Sequence, residues 1–291
     1  MDPLTITTAT FTLVQTVSGV SSNGNVTYSG TTATFTPPTN LSPGTRYTAT
    51  ITIEAKDLAG NALVSGLVPN PWTFTTGTGF APAAVALGSA GTFGIMATSA
   101  ITNTGFSTIN GDVSLEPGTS MTGFPPGVVN GAIHVNDTVS HQARADLLTA
   151  YNFAKNLPPG TTVSAGADLG ALYPLGIPPG TYTSGSTMLV STPLVLDAGG
   201  NANAVWVFQI GSSLTTGADV TLANGAQAKN VFWVPTSDAT IGVGTIFHGT
   251  IVSGRDVTGV TGATINGRIL AGAITAGTIA LQTNTVNVPA P

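Results

Sequence analysis

The sequence predicts a mainly β protein, in which a triangular β-helix with one long α-helix alongside follows a small antiparallel β-sandwich. Two patterns predict the β-helix: short strands recur in three columns of constant order, and a threonine returns in one column at the spacing of a three-stranded coil. Composition is the third observation, because only 7% of the 291 residues are charged, against about 25% in an average globular protein. A chain so poor in charge and rich in Gly, Thr, Ala and Val is not typical of a helical enzyme.

The first domain is predicted at residues 1–77. Short strands with turn signals between them favour an antiparallel sandwich there. The predicted strands are 8–17, 25–29, 32–36, 47–55 and 72–76. Residues 78–86 are predicted to link this domain to a second domain at residues 87–291.

Three columns of short strands run through the second domain. The threonine column is predicted at 100–103, 185–188, 213–216, 238–241, 256–259 and 273–276. An apolar column follows at 207–210, 231–234, 251–252 and 269–270, and a third column at 220–222, 245–247, 263–267 and 278–281, with a copy at 107–111. Three columns in constant order imply a triangular solenoid whose corners are formed by glycine.

A single long helix is predicted at residues 137–157. Apolar residues recur there at helical spacing, Asp137 or Thr138 can cap the start, and Pro158 follows the end. The apolar face of this helix needs a partner, and the apolar column is apolar on both of its faces. The helix is therefore predicted to cover that column. Residues 158–179, rich in Pro and Gly, are predicted to form an irregular head.

The threonine column predicts a flat outward surface. Thr215, Thr240, Thr258 and Thr275 lie 25, 18 and 17 residues apart, and alternation along a strand directs each threonine to solvent and the residue before it to the core. The next outward positions are small residues instead of long polar ones. Methyl and hydroxyl groups at about 4.7 Å spacing can order water into an ice-like layer. The plain alternative is that threonine, a β-branched residue, simply suits strands.

Several segments carry a resemblance to a known family. In chain order they are GTFGIMA at 91–97, INGDV at 109–113, AVWVFQIG at 204–211, NVFWV at 230–234 and NGRILA at 266–271. With the helix inserted between them, they resemble the microbial ice-binding proteins that have an irregular right-handed β-helix and a flanking α-helix. The resemblance covers residues 87–289 and implies the same right-handed fold and adsorption to ice, with thermal hysteresis and inhibition of recrystallisation.

The same resemblance implies a Thr-Ala/Gly-X-Thr/Asn motif near the ice-contacting surface. Residues 258–261 (TGVT) and 275–278 (TAGT) satisfy it, whereas the coils at 216–219 and 240–243 depart from it. The column and the motif together select the candidate ice-contacting residues Thr102, Thr104, Thr187, Ser213, Thr215, Thr240, Thr258, Thr261, Thr275 and Thr278. In the first domain, AKDLAGNAL at 55–63 and WTFT at 72–75 resemble bacterial Ig-like domains, which are mostly spacers or anchors.

Other functions are weighed on specific residues. A cell-surface adhesin or carbohydrate-binding β-helix is the main alternative, and a polysaccharide-degrading enzyme is the third. Asp238 and Asp256 occupy equivalent outward positions and could form a Ca²⁺ site or a carboxylate pair, but Arg255 beside them offers plain charge compensation. His134, His141 and His248 lack the spacing of metal ligands. We therefore expect a non-enzymatic protein without catalytic residues, metal or other cofactor.

Charge and targeting signals limit the partners. The net charge of −5 gives no basic surface for nucleic acid. The sequence contains no cysteine, and neither a signal peptide nor a membrane-spanning run is predicted within it. We expect a secreted or cell-surface monomer of bacterial origin whose partner is an ice crystal surface.

Overall fold

The computed structural model describes residues 1–17, 19–38, 41, 45–64, 70–76 and 82–290. Contacts divide the chain into two units, Met1–Thr78 and Gly79–Pro291. Residues 78–81 of the predicted linker lie outside the described residues. Among the described residues, no helix is long and apolar enough to cross a membrane.

The described part of the first unit contains two small antiparallel sheets. Its strands are β1 (Phe11–Gln15), β2 (Asn25–Ser29), β3 (Thr32–Thr36), β4 (Arg46–Ile51) and β5 (Trp72–Thr75). One sheet has the order β1-β4-β5, and β2 and β3 form a hairpin. Phe11, Leu13, Tyr47 and Ala49 form the buried core between them. All five predicted strands are present, several of them shorter than predicted.

The second unit contains 22 strands and two α-helices in its described part. The strands before the long helix are β6 (Phe93–Ala97), β7 (Ala100–Thr104), β8 (Thr108–Asn110), β9 (Asp112–Leu115), β10 (Ser120–Thr122), β11 (Val128–Val129) and β12 (Ile133–Val135). The helices are α1 (Thr138–Lys155) and α2 (Leu169–Leu172). Next come β13 (Thr161–Thr162), β14 (Ala167–Asp168), β15 (Gly180–Ser184), β16 (Met188–Val190), β17 (Leu194–Asp197), β18 (Trp206–Ile210), β19 (Leu214–Thr216), β20 (Val220–Ala223) and β21 (Val231–Pro235). The last are β22 (Ala239–Ile241), β23 (Ile246–Val252), β24 (Val257–Gly259), β25 (Thr264–Leu270), β26 (Thr278–Gln282) and β27 (Thr285–Asn287).

These strands stack in parallel on three sides of a solenoid. The first side, here called the threonine face, has the order β10-β7-β26-β24-β22-β19-β16-β14. The other two sides share the long strands β23 and β25, which bend around the corner between them. The first half of β25 pairs with β27 and its second half pairs with β6. A parallel β-helix with a triangular cross-section is therefore confirmed.

The order of the coils in space differs from their order in the chain. Strand β7 lies between β10 and β26, so the first coil of the unit packs directly against the last one. Helix α1 leaves β12 at this end of the stack and delivers the chain to β13 at the opposite end. Residues 158–179 do not form an irregular head as predicted: β13, β14 and α2 within them make the terminal coil, pairing with β15 and β16.

The helix prediction is confirmed. Asp137 accepts a hydrogen bond from the N–H of Ser140 at 2.8 Å, and the two residues form a capping box. The buried helix residues Ala143, Leu147, Ala150 and Ala154 pack on Val207, Phe232, Val252 and Leu270 of the apolar column. Phe208 and Trp233 of that column face the interior instead, where their rings stack with centroids 3.9 Å apart.

Candidate functional site

One row of outward side chains crosses the whole threonine face. The strand register sets its members side by side in the order Thr122, Thr102, Ala280, Thr258, Thr240, Thr215, Leu189 and Asp168. Each of the first six follows a residue directed into the solenoid, such as Ile101, Ile279 or Val257, which are buried. Strand spacing fixes neighbours in the row at about 4.8 Å. Five of its eight positions are threonine, which is stiff at χ1 because it is β-branched.

A second row runs parallel to the first, two residues earlier in the chain at each coil, within or just before the strand. Its members are Ser120, Ala100, Thr278, Asp256, Asp238, Ser213 and Thr187, in the same spatial order. The two rows are separated by about 6.6 Å along the strands. Small side chains at most of these positions keep the surface flat.

The structure brings most of the predicted ice-contacting residues together. Thr102, Thr215, Thr240 and Thr258 lie in the first row, and Ser213, Thr187 and Thr278 in the second. Thr104, two residues beyond Thr102, is exposed opposite Gln282. Thr261 is exposed in the turn after β24.

Two predicted positions in the first row were wrong. Thr275 is exposed in the turn before β26, where its hydroxyl donates to the Gly254 carbonyl at 3.2 Å, and Ala280 occupies the position assigned to it. The reason is a longer corner: Gly272 has a φ of +84°, and the chain needs residues 271–277 to turn from β25 into β26. Segment 278–281 therefore belongs to the threonine face and not to the third column. Similarly, Leu189 and not Thr187 is the neighbour of Thr215.

Known proteins match both units. Residues 95–287 match the ice-binding-like family, and residues 1–76 match the bacterial Ig-like domain family. The chain belongs to the ice-binding-like family. An ice-binding protein of Nostoc sp. (strain HG1) is 44% identical over 163 residues, which cover 55% of this chain and 59% of that protein. Ice-binding protein 1 of Shewanella frigidimarina is 32% identical over 199 residues, 57% of this chain and 22% of that protein.

A solved structure gives the same comparison in three dimensions. The crystal structure of an ice-binding protein from an Antarctic biological consortium superposes with a TM-score of 0.66 at 39% sequence identity, covering 71% of this chain and 92% of that one. This chain spans less than two thirds of the length of the Nostoc and Shewanella relatives.

In this member of the ice-binding-like family, charge lies in one stretch of the second row and at Asp168, the last position of the first row. Arg255 donates from Nε to Asp238 Oδ1 at 2.6 Å, with a second bond to Oδ2, and Asp256 Oδ1 accepts the N–H of Thr278 at 2.7 Å. The hydrogen bond from Arg255 lowers the pKa of Asp238 below its ordinary value, and the same bond raises the pKa of Arg255. Both carboxylates thus have partners of their own. The described residues contain no cluster of three metal-ligating side chains.

The three histidines lie apart from the threonine face. His134 Nδ1 lies 2.8 Å from Asp137 Oδ2, and His141 Nε2 lies 3.0 Å from Glu116 Oε2, both near the start of α1. His248 Nδ1 lies 2.6 Å from the Val220 carbonyl oxygen. These contacts bind each ring to a neighbouring element and do not converge on a common centre.

Sequence reasoning missed four positions of the candidate surface: Ser120 and Thr122 on β10, Ala280 on β26 and Asp168 on β14. The segment Ser120-Met121-Thr122 repeats the pattern of Ala100-Ile101-Thr102, and this repetition is visible in the sequence. The pairing of β10 with β7 turns the repetition into adjacency in space.

Proposed function

We propose that this protein adsorbs to ice through the threonine face and acts as a non-enzymatic ice-binding protein. The observation that carries the proposal is the first row, in which threonines repeat at the strand spacing with small neighbours at most positions of the second row. Membership of the ice-binding-like family supports it.

The physical argument is preorganisation. The parallel sheet fixes the backbone, and β-branching restricts each threonine side chain, so ordering the surface on contact with water loses little conformational entropy. Each threonine presents a methyl group and a hydroxyl group. The hydroxyl can hydrogen-bond to ordered water, and removing the apolar methyl group from bulk water is favourable.

Adsorbed molecules would halt ice growth where they sit and force the front to curve between them. A curved front needs a lower temperature to advance, which produces thermal hysteresis. The same adsorption at grain boundaries would inhibit recrystallisation.

The test replaces Thr258, at the middle of the first row, by Tyr. A bulky ring would lift the surface from ice, so thermal hysteresis should fall to less than half of the wild-type value at equal concentration. Thr221→Tyr is the matched control, because Thr221 is an exposed strand threonine on another side of the solenoid. Equal hysteresis in wild type and a folded Thr258→Tyr variant would exclude the middle of the threonine face as an ice contact.

Further features complete the proposal. We propose domain limits of 1–77, 78–86 and 87–291, a right-handed coil, as in nearly all parallel crossovers, and a monomer that is secreted or held at the cell surface. The Ig-like unit supports an extracellular location. A carbohydrate-binding or adhesive β-helix would be expected to present aromatic platforms, and the strands of the threonine face contain no aromatic residue.

A further inference from the structure

The threonine face contains a seam between the two ends of the second unit. Strand β7, from the first coil, pairs with β26, from the last, so Thr102 lies beside Ala280 although 178 residues separate them in the chain. Strand β10 then extends the face beyond β7. Both rows cross this seam in register.

The seam is the longest stretch of the face where both rows are uncharged and small, because it spans three adjacent strands. On β10, β7 and β26 the first row is Thr122, Thr102 and Ala280, and the second row is Ser120, Ala100 and Thr278. These six side chains carry only methyl and hydroxyl groups beyond the backbone. Gln282, a long side chain on β26, lies outside both rows, two residues after Ala280.

The rest of the face is less suited to ordered water. Asp256 and Asp238, the residues just before β24 and β22, occupy the second row, and ionised carboxylates hold their own hydration shells, which are costly to remove. At the far end the first row finishes in Leu189 and Asp168. Asp168 accepts the N–H of Ser191 at 3.0 Å and the hydroxyl of Thr192 at 3.1 Å, so it secures the terminal coil.

A hydrogen-bond ladder fixes the seam on the adjacent side of the solenoid. Each asparagine amide donates to its neighbour: Asn130 to Asn110 at 2.8 Å, Asn110 to Asn287 at 2.8 Å, and Asn287 to Asn266 at 2.9 Å. The bond between Asn110 and Asn287 crosses the seam itself.

Two hydrogen bonds to buried side-chain hydroxyl groups also join the first coil to the last. The N–H of Asn284 donates to Ser107 Oγ at 2.9 Å, and the N–H of Gly277 donates to Thr98 Oγ1 at 2.7 Å. Because hydrogen bonds to buried polar groups are costly to break, the first coil is held in one register against the last. The two rows therefore stay continuous across β10, β7 and β26.

We propose that the seam is the principal ice contact, formed jointly by Ser120 and Thr122 of β10, Ala100 and Thr102 of β7, and Thr278 and Ala280 of β26. The inference rests on the proposed function and specifies where on the threonine face adsorption occurs. It assigns Thr122 and Ser120 to the contact and makes Ala280 the gap in an otherwise continuous threonine row from Thr122 to Thr215. The charged and leucine-bearing end lies off the ice.

The experiment compares three first-row variants in the full chain, each checked for an unchanged melting temperature. Thr102→Tyr and Thr122→Tyr should each reduce thermal hysteresis to less than half, whereas Leu189→Tyr, the matched change at the far end, should leave it near the wild-type value. Thr102 and Thr122 stand on different strands, so one of the two remains informative if the other disturbs folding.

A gain of function provides the second measurement. Ala280→Thr fills the gap with a β-branched residue that suits a strand, and hysteresis should rise above wild type. The inference fails if Leu189→Tyr lowers hysteresis as much as Thr102→Tyr, or if Ala280→Thr leaves it unchanged or lower. If Thr258→Tyr abolishes hysteresis while Thr102→Tyr and Thr122→Tyr do not, only the seam is wrong. If all of these folded variants keep wild-type hysteresis, the proposed function of the face fails as well.

Discussion

Replacing Leu147 by Ala tests whether helix α1 is a structural cover or an ice-contacting element. The Leu147 side chain is 1% exposed, in the cluster that joins α1 to Val207 and Phe232. Cutting a buried leucine to alanine removes apolar contacts and leaves a cavity, at a cost of about 2–5 kcal/mol. For a unit of this size each kcal/mol corresponds to about 2–4 °C, so the melting temperature should fall by about 4–20 °C.

Leu148 supplies the matched control, because it is the next residue of the same helix and is 43% exposed. Calorimetry of both alanine variants should show a loss confined to Leu147→Ala. Hysteresis measured below 0 °C, where both variants remain folded, should be unchanged, since α1 lies on another side of the solenoid from the threonine face. Wild-type melting of Leu147→Ala, or an equal loss in Leu148→Ala, would refute the packing argument.

Two further predictions concern the first unit and the start of α1. A truncated chain of residues 82–291 should fold and keep its hysteresis, because the second unit has a core of its own; lost hysteresis in a folded truncation would place the first unit in the binding surface. The second prediction concerns Asp137, whose pKa is held at about 2, below the ordinary 3.8, chiefly by the N–H of Ser140 and then by His134. Because the pKa of Asp137 is lower in the folded state than in the unfolded state, its ionised carboxylate stabilises the fold at pH values above the unfolded pKa. This stabilisation is lost as the pH falls toward the folded pKa. Melting temperature should therefore fall more steeply between pH 4 and pH 2 in wild type than in Asp137→Asn, which keeps a good cap; equal slopes would contradict it.

Local patterns were enough to predict the elements of the fold. Helix α1 follows from its apolar spacing and the cap at Asp137, both contained within about twenty residues of sequence. The apolar column was also predicted, because runs such as 231–234 are apolar on both faces and can only be buried between two layers. The sequence did not predict which side chains of this column face the helix. The register between β18 and β21 decides this, because it pairs Val207 with Phe232 and Phe208 with Trp233.

Which threonines lie side by side on the candidate surface was predicted only where coils follow one another in the chain. Thr215, Thr240 and Thr258 stand on successive coils, and their adjacency is confirmed. The prediction for Thr275 was wrong because two nearby segments, 273–276 and 278–281, both place a small residue after an isoleucine. Packing decides between them: a Cβ on Gly277 would collide with the backbone of Arg255 and Gly272, so the chain turns tightly there before β26 begins.

The length of α1 and the order of the strands on the threonine face depend on each other. On the helix side the strands run β12-β9-β6-β25-β23-β21-β18-β15-β13, and eight steps between nine strands span about 38 Å. The 18 residues of α1 cover about 27 Å of this distance, and the few residues on either side, at up to about 3.3 Å each, cover the remainder. Since the helix carries the chain to the far end, all later coils must wind back until the last one meets the first. The register of Thr102 with Ala280 is thus a consequence of the helix insertion, and adding a coil between β15 and β26 would require a longer helix to preserve it.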